Sequence, residues 1–360
     1  MSNLLAPLKF VRGPEIKNRF ILAPLTNTQS YDDGRLSEEE FKWLTMRASG
    51  GFGLTMTCAA HVQAIGQGFP GQLGVFSEIH LSGLTRLAKE IKSNNSMSIC
   101  QLHHAGMRSP EDIIGEPPVC SSDNEEFSAR ALSLEEVTKL RDDFISAAIR
   151  CEKAGFDGVE LHGAHGYILG QFLSGEINIR TDKYGGSKQN RSRILQEIID
   201  GIRRKCNSNF VLGVRLSPER FGIDLGETKE LAEKLMTSGE IDFLDMSLWD
   251  VFKDPSDKKY KGWSLLSHFT GLERGNTKLG VAGNIRTPID AEKVISNGVD
   301  WVMLGKAAIL HHDFPSLYKE NSKFIPVELP VSYEYLKKQG LSDKFVNYMS
   351  NWKGFVEPKK

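Results

Sequence analysis

Three side chains able to handle protons and oxygen anions stand within six residues of one another: His162, His165 and Tyr167, in the stretch Gly158-Val-Glu-Leu-His-Gly-Ala-His-Gly-Tyr167. Two neutral imidazoles can donate hydrogen bonds to a carbonyl oxygen and draw electrons out of a conjugated C=C bond. A phenol, whose reference pKa near 10 keeps it protonated at neutral pH, can then deliver a proton to the adjoining carbon. An HxxH pair can also hold a metal, but no carboxylate follows at the spacing that completes such a site. Two satisfied core histidines are the plainer alternative.

Other polar groups close apolar runs. Gln101 sits in Met97-Ser-Ile-Cys-Gln-Leu102 and Arg215 in Phe210-Val-Leu-Gly-Val-Arg-Leu216. An amide that both donates and accepts, beside a fixed positive fork, suits a heterocycle with carbonyl and imide edges that becomes anionic when reduced. A flavin isoalloxazine is such a ring, and a positive group near its N1 stabilises the reduced anion. An Arg215 salt bridge to Asp245 or Glu160 is the competing reading. Two later turns, Gly283-Asn284 and Gly305-Lys306, suit a phosphate cradled by backbone N–H groups, or are ordinary strand-to-helix turns that need glycine.

The elements that must position these groups alternate along the chain. Asn18 to Thr26 reads as a buried strand, and Ser37-Glu-Glu-Glu40 caps a helix carrying Phe41, Leu44 and Ala48. Gly53 to Ala60 and Met97 to Leu102 follow as strands, with a helix from His80 to Lys92 between them. Met107 to Arg130 is Pro- and Ser-rich and too polar for core, as a loop or lid would be. Ser133-Leu-Glu-Glu136 caps a long helix to Ala154, the stretch from Gly158 is the fourth strand, and Arg191 to Arg204 is the next helix. Further strands are expected at Phe210–Leu216, Phe243–Ser247, Lys278–Ala282 and Trp301–Leu304, with helices from Thr228 to Met236 and from Pro288. Eight apolar strands, nearly all followed by a helix, imply a parallel sheet covered on its outer face and closed as a (β/α)8 TIM barrel. The expectation is thus an α/β fold: one domain over residues 1–360, with its core over about 18–318, a lid insertion after the third strand and an extended C-terminal tail over about 319–360. A barrel's chemistry lies just after its strands, where Pro24, Leu25, Thr26, Ala59, Gln101, His162, His165, Tyr167, Arg215, Ser247, Gly283, Asn284, Gly305 and Lys306 fall.

The balance of 45 basic and 46 acidic residues, with no block of like charge, excludes an electrostatic footprint for nucleic acid or an anionic membrane. No window has the roughly 18 consecutive apolar residues of a membrane span, and Met1 to Phe10 lacks a signal peptide's basic start and apolar run, so a cytoplasmic location is expected. Five cysteines, Cys58, Cys100, Cys120, Cys151 and Cys206, form no CxxC pair, which argues against disulfides and against cysteine-ligated zinc or iron-sulfur clusters. The tail carries Tyr335, Phe345, Tyr348 and Trp352, aromatic enough to pack on its own barrel or on another copy in a homo-oligomer.

Several of these runs are shared with a known family. Asn18-Arg-Phe-Ile-Leu-Ala-Pro-Leu-Thr26, Gln101-Leu-His-His-Ala-Gly106, Ala154-Gly-Phe-Asp-Gly-Val-Glu-Leu-His-Gly-Ala-His-Gly-Tyr167, Gln171-Phe-Leu-Ser174, Arg180-Thr-Asp-Lys-Tyr-Gly-Gly-Ser187 and Asn190-Arg191 are similar to the old yellow enzyme family of FMN-dependent ene-reductases, also called NADH:flavin oxidoreductases. The resemblance covers nearly the whole chain. It implies tightly bound, non-covalent FMN, NAD(P)H as reductant, and hydride transfer to the β-carbon of an enone or enal. It further implies that Ala23, Pro24, Leu25, Thr26, Ala59, Gln101 and Arg215 contact the flavin ring, with His162 bordering it, and that Gly283, Asn284, Gly305 and Lys306 hold its phosphate. His162 and His165 match the pair that binds the substrate oxygen, Tyr167 the proton donor, and Thr28 a position over the substrate. Thr26 stands where one subgroup has a redox-tuning cysteine, Thr28 where that subgroup has a tyrosine, and Lys306 where arginine is common, which keeps the charge but loses the bidentate fork. Cys58 stands where an acid is usual and has no assigned role. Trp249 and Phe252, after the sixth strand, could line the pocket or be local packing of a long loop, and stand outside the assigned site. Larger relatives append an iron-sulfur cluster and an FAD domain, and with no cysteine beyond Cys206 the flavin is expected to be the sole redox centre. The competing functions are a flavin-free aldolase or isomerase acting on a phosphorylated substrate, and a flavin-binding barrel without turnover.

Overall fold

A computed structural model describes residues 3–358; the one-domain reading of residues 1–360 extends past it by two residues at each end. Eight parallel strands close on themselves: β1 (Phe20–Leu22), β2 (Leu54–His61), β3 (Met97–His103), β4 (Gly158–Gly163), β5 (Val211–Leu216), β6 (Phe243–Ser247), β7 (Lys278–Ala282) and β8 (Trp301–Leu304), with β1 paired to both β2 and β8. Around them lie α1 (Glu38–Ser49), α2 (Leu81–Ser93), α3 (Leu134–Lys153), α4 (Arg193–Lys205), α5 (Leu225–Thr237), α6 (Ser267–Thr270), α7 (Pro288–Ser296) and α8 (Phe314–Glu320). The (β/α)8 expectation holds, with one thin place. The helix after β6 is a single turn, because the polar chain between Trp249 and Gly275 offers no sustained apolar face.

Caps read from the sequence are built as expected. The Ser37 hydroxyl accepts from the Glu40 N–H, and Ser133 and Glu136 satisfy each other's backbone N–H groups in a capping box, so both helices start where their first-turn acids meet the positive end of the helix dipole.

Successive strand residues point to opposite sides of the barrel wall. The outward set, including Leu102, Leu161, Val214, Leu244, Val281 and Leu304, joins the helices in one large apolar cluster. The inward set divides by height. Low in the barrel, Leu54, Met97, Val211, Phe243 and Trp301 form a second cluster, plugged from below by Leu8, Phe10 and Ile16 of the N-terminal segment. The Phe10 ring centroid lies 5.2 Å from that of Trp301 and 6.2 Å from that of Phe243. Room for those rings comes from two strand glycines: a Cβ on Gly280 would lie 1.5 Å from the Trp301 indole nitrogen, and one on Gly213 would lie 2.0 Å from the Phe243 ring. Higher up, the inward positions turn polar: Gln101, Glu160, Arg215, Asp245 and Ser247 are all buried.

Residues 107–131 contain a two-stranded parallel ladder, Val119–Cys120 with Arg130–Ala131, and a one-turn helix, Glu111–Ile114. The segment is not wholly excluded from the interior, since Met107, Cys120 and Ala129 make a small apolar cluster of their own. The C-terminal tail packs on its own barrel through two helices, Tyr333–Lys338 and Asp343–Ser350. Phe345 stands edge-on to Trp43 of α1 with ring centroids 5.4 Å apart, and the Ser342 N–H donates to Gln29 Oε1 at 3.0 Å. Burying one such phenyl ring stabilises the tail by roughly 2–3 kcal/mol.

Candidate active site

The turn after β4 is tightly determined. His165 and Gly166 both have left-handed backbone (φ 61° and 69°), and a Cβ on Gly166 would meet the Phe221 ring at 2.8 Å, so glycine is required there twice over. Buried Gln171 donates to the Gly166 carbonyl (2.9 Å) and the Ala105 carbonyl (3.2 Å), lashing the turn to the loop after β3. The Ser217 hydroxyl accepts from the His165 N–H at 2.9 Å. Tyr167 then caps the short helix Ile168–Leu173.

These constraints bring His162, His165 and Tyr167 together, with ring centroids 5.0 Å apart for His162–His165, 5.0 Å for His162–Tyr167 and 6.3 Å for His165–Tyr167. Burial first, and then neighbouring positive groups including Arg215, hold both imidazoles well below the usual histidine range. Both are therefore neutral at physiological pH. Burial pushes the Tyr167 phenol up, against the pull of the Arg108 charge, so it keeps its proton.

The surrounding hydrogen bonds decide where the imidazole protons lie. The Ala164 N–H donates to His162 Nδ1 in a long contact of 3.4 Å, which leaves the proton on Nε2. Ser247 Oγ lies 2.7 Å from His165 Nε2 and accepts a distant donation from Arg215 at 3.4 Å, which leaves its own hydrogen free to point at that ring nitrogen. With the hydroxyl donating, the His165 proton lies on Nδ1. The two facing nitrogens, His162 Nε2 and His165 Nδ1, are 3.2 Å apart, and both are pressed toward the donor role. An oxygen acceptor between them would satisfy both at once.

A cavity of about 500 Å³ opens above this pair. Pro24, Leu25, Thr26, Ala59 and Gln101 lie on its floor side with His162, and Tyr167, His165, Phe221 and Trp249 on its walls. Below it, Arg215 Nε approaches Asp245 Oδ2 at 2.9 Å without aiming its hydrogen there, and the side chain of Gln101 donates to Glu160 Oε1 at 2.7 Å. One guanidinium thus serves two buried carboxylates. The Glu160 carboxyl is pushed up to about 8, by burial first and by the Asp245 charge second, against the pull of Arg215. Asp245 is raised by burial in the same way, also against Arg215.

Residues 3–323 match the NADH:flavin oxidoreductase / NADH oxidase family. This chain is a member of that family. It is 32% identical, over 99% of its length and 98% of the relative's, to the protein of Bacillus subtilis (strain 168) named "probable NADH-dependent flavin oxidoreductase YqiG". It is also 32% identical to the NADH:fumarate oxidoreductase of Klebsiella pneumoniae (strain 342), matching 87% of this chain but 35% of that longer protein. The structure of an old yellow enzyme homologue from Zymomonas mobilis superposes with a TM-score of 0.81 at 26% identity, covering 95% of this chain and 99% of that one. As a member of this family the chain is an oxidoreductase with FMN as cofactor and NAD(P)H as reductant.

The residues present fit that cofactor. The cavity floor offers small and apolar groups on which a flat ring can lie, and the Gln101 amide, having given its N–H to Glu160, retains an acceptor oxygen. Arg215 commits little of its five-donor fork to well-aligned bonds among the described residues, which suits a ring edge that becomes negative on reduction. The Arg215 salt bridge and a flavin role, weighed against each other from sequence, are compatible: the ion pair positions the fork. Gly283-Asn284 and Gly305-Lys306 end the adjacent strands β7 and β8. The Asn284 side chain donates to Asp250 at 3.1 Å. Burial and then the charge of Arg286 hold the Lys306 amine below its usual value, so two cations face this corner, as a phosphate needs.

Not every expected site residue borders the cavity: Arg215, Gly283, Asn284, Gly305 and Lys306 fall outside its lining, as do two more. Ala23 is buried in the lower interior cluster beside Leu25. Thr28 lies outside the cavity lining, with left-handed backbone (φ 56°) and its hydroxyl donating to the Asn27 carbonyl at 2.7 Å. Of the two readings of Trp249, pocket lining is the one the structure shows, and Phe69, Arg108, Arg220, Tyr348, Met349 and Trp352 line the cavity as well. The indole of Trp352 also carries Lys306 Nζ 4.6 Å from its ring centroid. Cys58 is buried beside Glu40, and its thiol is pushed well up by burial first and by the Glu40 charge second.

Proposed function

We propose that this oxidoreductase reduces the C=C bond of α,β-unsaturated carbonyl compounds. The observation that carries the reading is the pair of facing imidazole donors, His162 Nε2 and His165 Nδ1, 3.2 Å apart beside a protonated phenol in one cavity. The substrate carbonyl oxygen sits between the two donors, which polarise the conjugated alkene as negative charge develops on oxygen. Flavin, when bound and reduced by NAD(P)H, would supply the hydride for the β-carbon. Tyr167 gives its proton to the α-carbon, a transfer made possible by burial that keeps the phenol neutral. Gln101 and Arg215, with Thr26, Ala59 and His162, would hold the cofactor ring, and Gly283, Asn284, Gly305 and Lys306 its phosphate. Trp249, Tyr348 and Trp352 wall the cavity and limit water.

The purified protein is expected to be yellow, to bleach anaerobically with NAD(P)H and to reoxidise on adding cyclohexenone. A flavin that bleaches but does not reoxidise with any enone would sink the proposal. Phenols such as para-hydroxybenzaldehyde should give a red-shifted charge-transfer band that disappears when His162 and His165 are both replaced by Ala.

A further inference from the structure

Two arginines stand at the mouth of this cavity without a counter-charge. Arg108, in the loop after β3, and Arg220, in the loop after β5, are exposed at their ends, and both line the cavity. No Asp or Glu lines it among the described residues. Neither guanidinium forms an ion pair among those residues, and the nearby Glu219 already gives its carboxylate to Lys253 (2.9 Å) and Ser256. A chain with a formal charge of -1 thus concentrates uncompensated positive charge at one opening.

The two side chains are held in place by packing. The Arg108 guanidinium carbon lies 5.5 Å from the Tyr167 ring centroid, and its Nη1 donates to the His165 carbonyl at 3.1 Å. The Arg220 guanidinium carbon lies 4.4 Å from the Trp249 ring centroid and 5.7 Å from that of Phe221. Arg220, Phe221 and Trp249 all have left-handed backbone, with φ 76°, 55° and 62°. Non-glycine residues adopt this conformation when surrounding structure compels it. Stacking on rings leaves the outer edges of both forks available to an anion.

We infer that the alkene substrate carries an anionic group, a carboxylate by preference, which Arg108 and Arg220 receive while its carbonyl oxygen lies between His162 and His165. This rests on the reading of those histidines as the oxygen site. The positions of the arginines favour the alkene as bearer of the charge: Arg108 touches the residues that would hold the carbonyl and give the proton, so its partner belongs on the same small molecule. Flavin phosphate is not the partner on the proposed reading, which assigns it to Gly283, Asn284, Gly305 and Lys306, all outside this cavity's lining.

The test uses the FMN-loaded full chain and a matched pair of enones, (E)-4-oxopent-2-enoate and its methyl ester. The acid is expected to have the higher kcat/KM, and Arg108→Gln with Arg220→Gln should lower kcat/KM for the acid roughly tenfold more than for the ester, mainly through KM. Equal losses for acid and ester would overturn the inference. A rise in the KM for NAD(P)H with acid and ester moving together would overturn it too, assigning the arginines to the nicotinamide diphosphate. Equilibrium titration of the oxidised protein, read by flavin absorbance, needs no turnover. Tighter binding of acid than ester, lost in the double variant, supports the anion site even if no enone is reduced, which separates its failure from that of the proposed function. The thermal melting temperature of each variant shows whether it has folded.

Discussion

The lower and upper halves of the barrel interior are built from the same strands and could hardly differ more. Below, Phe10, Phe243 and Trp301 interlock over two glycines with no polar side chain between them. Above, one guanidinium, two carboxylates and an amide share a space with no solvent. Moving two residues along β5, from Gly213 to Arg215, or along β6, from Phe243 to Asp245, crosses from one half to the other. The lower half is filled by the chain itself, with the Trp301 indole N–H its one buried side-chain donor lacking a partner among the described residues. The upper half holds more polar groups than the chain satisfies, among them Glu160 Oε2, Arg215 Nε and both oxygens of Asp245. Buried polar groups ordinarily find partners, so a layer left short of them is one prepared for something else.

That contrast can be broken most severely from below. Gly280→Ala would drive a methyl group into Trp301, whose indole nitrogen lies 1.5 Å from the added Cβ position, and should cost about 3 kcal/mol or more. The checks are the yield of folded protein and the thermal melting temperature, and adding Trp301→Leu in the same chain should restore part of the loss. An additive double variant would mean that the lower half is not packed as a unit. In the upper half, Arg215→Met leaves Glu160 and Asp245 without their cation. The expected result is release of flavin on gel filtration together with about 3 kcal/mol of lost stability.

A smaller effect distinguishes the halves by pH. Glutamate in the unfolded chain ionises near 4.5, whereas Glu160 in the fold keeps its proton to about 8. A raised folded pKa contributes stability that is complete below 4.5 and is lost as pH rises toward 8. Melting temperatures measured across that window should therefore fall for the native protein relative to Glu160→Gln; parallel curves would show that Glu160 is not the titrating group. The mildest change is Ser247→Ala, which frees the proton of His165 to move to Nε2. Loss of that one hydrogen bond should weaken phenol binding roughly tenfold, seen in the charge-transfer titration, with little change in melting temperature.

Much of this was legible in the residue order, for a physical reason. Strands such as Phe243–Ser247, Lys278–Ala282 and Trp301–Leu304 are short, continuous and apolar, and their boundaries coincide with the observed ones because both wall faces are buried. The first strand reads as Asn18 to Thr26 but pairs only over Phe20–Leu22, since Pro24 cannot donate to a ladder. His162, His165 and Tyr167 were visible because one turn carries all three. Arg108, Arg220 and Trp249 were not, because their relation to that turn is made by separate loops packing on Gly166 and Tyr167. Tyr348 and Trp352 join the wall through a chain reversal nearly two hundred residues farther on, and an aromatic tail alone does not say which surface it will cover.

The N-terminal plug has a consequence for assembly in the cell. Leu8, Phe10 and Ile16 fill the lower barrel with the protein's own atoms, so the packing of that half needs no cofactor to complete it. Apoprotein is expected to stand as a folded receptor, emptied under mild chaotropic conditions and refilled with synthetic ring analogues of altered potential. Chain synthesis and flavin supply are then separable events, and the same polypeptide becomes a holder in which the electron carrier can be exchanged.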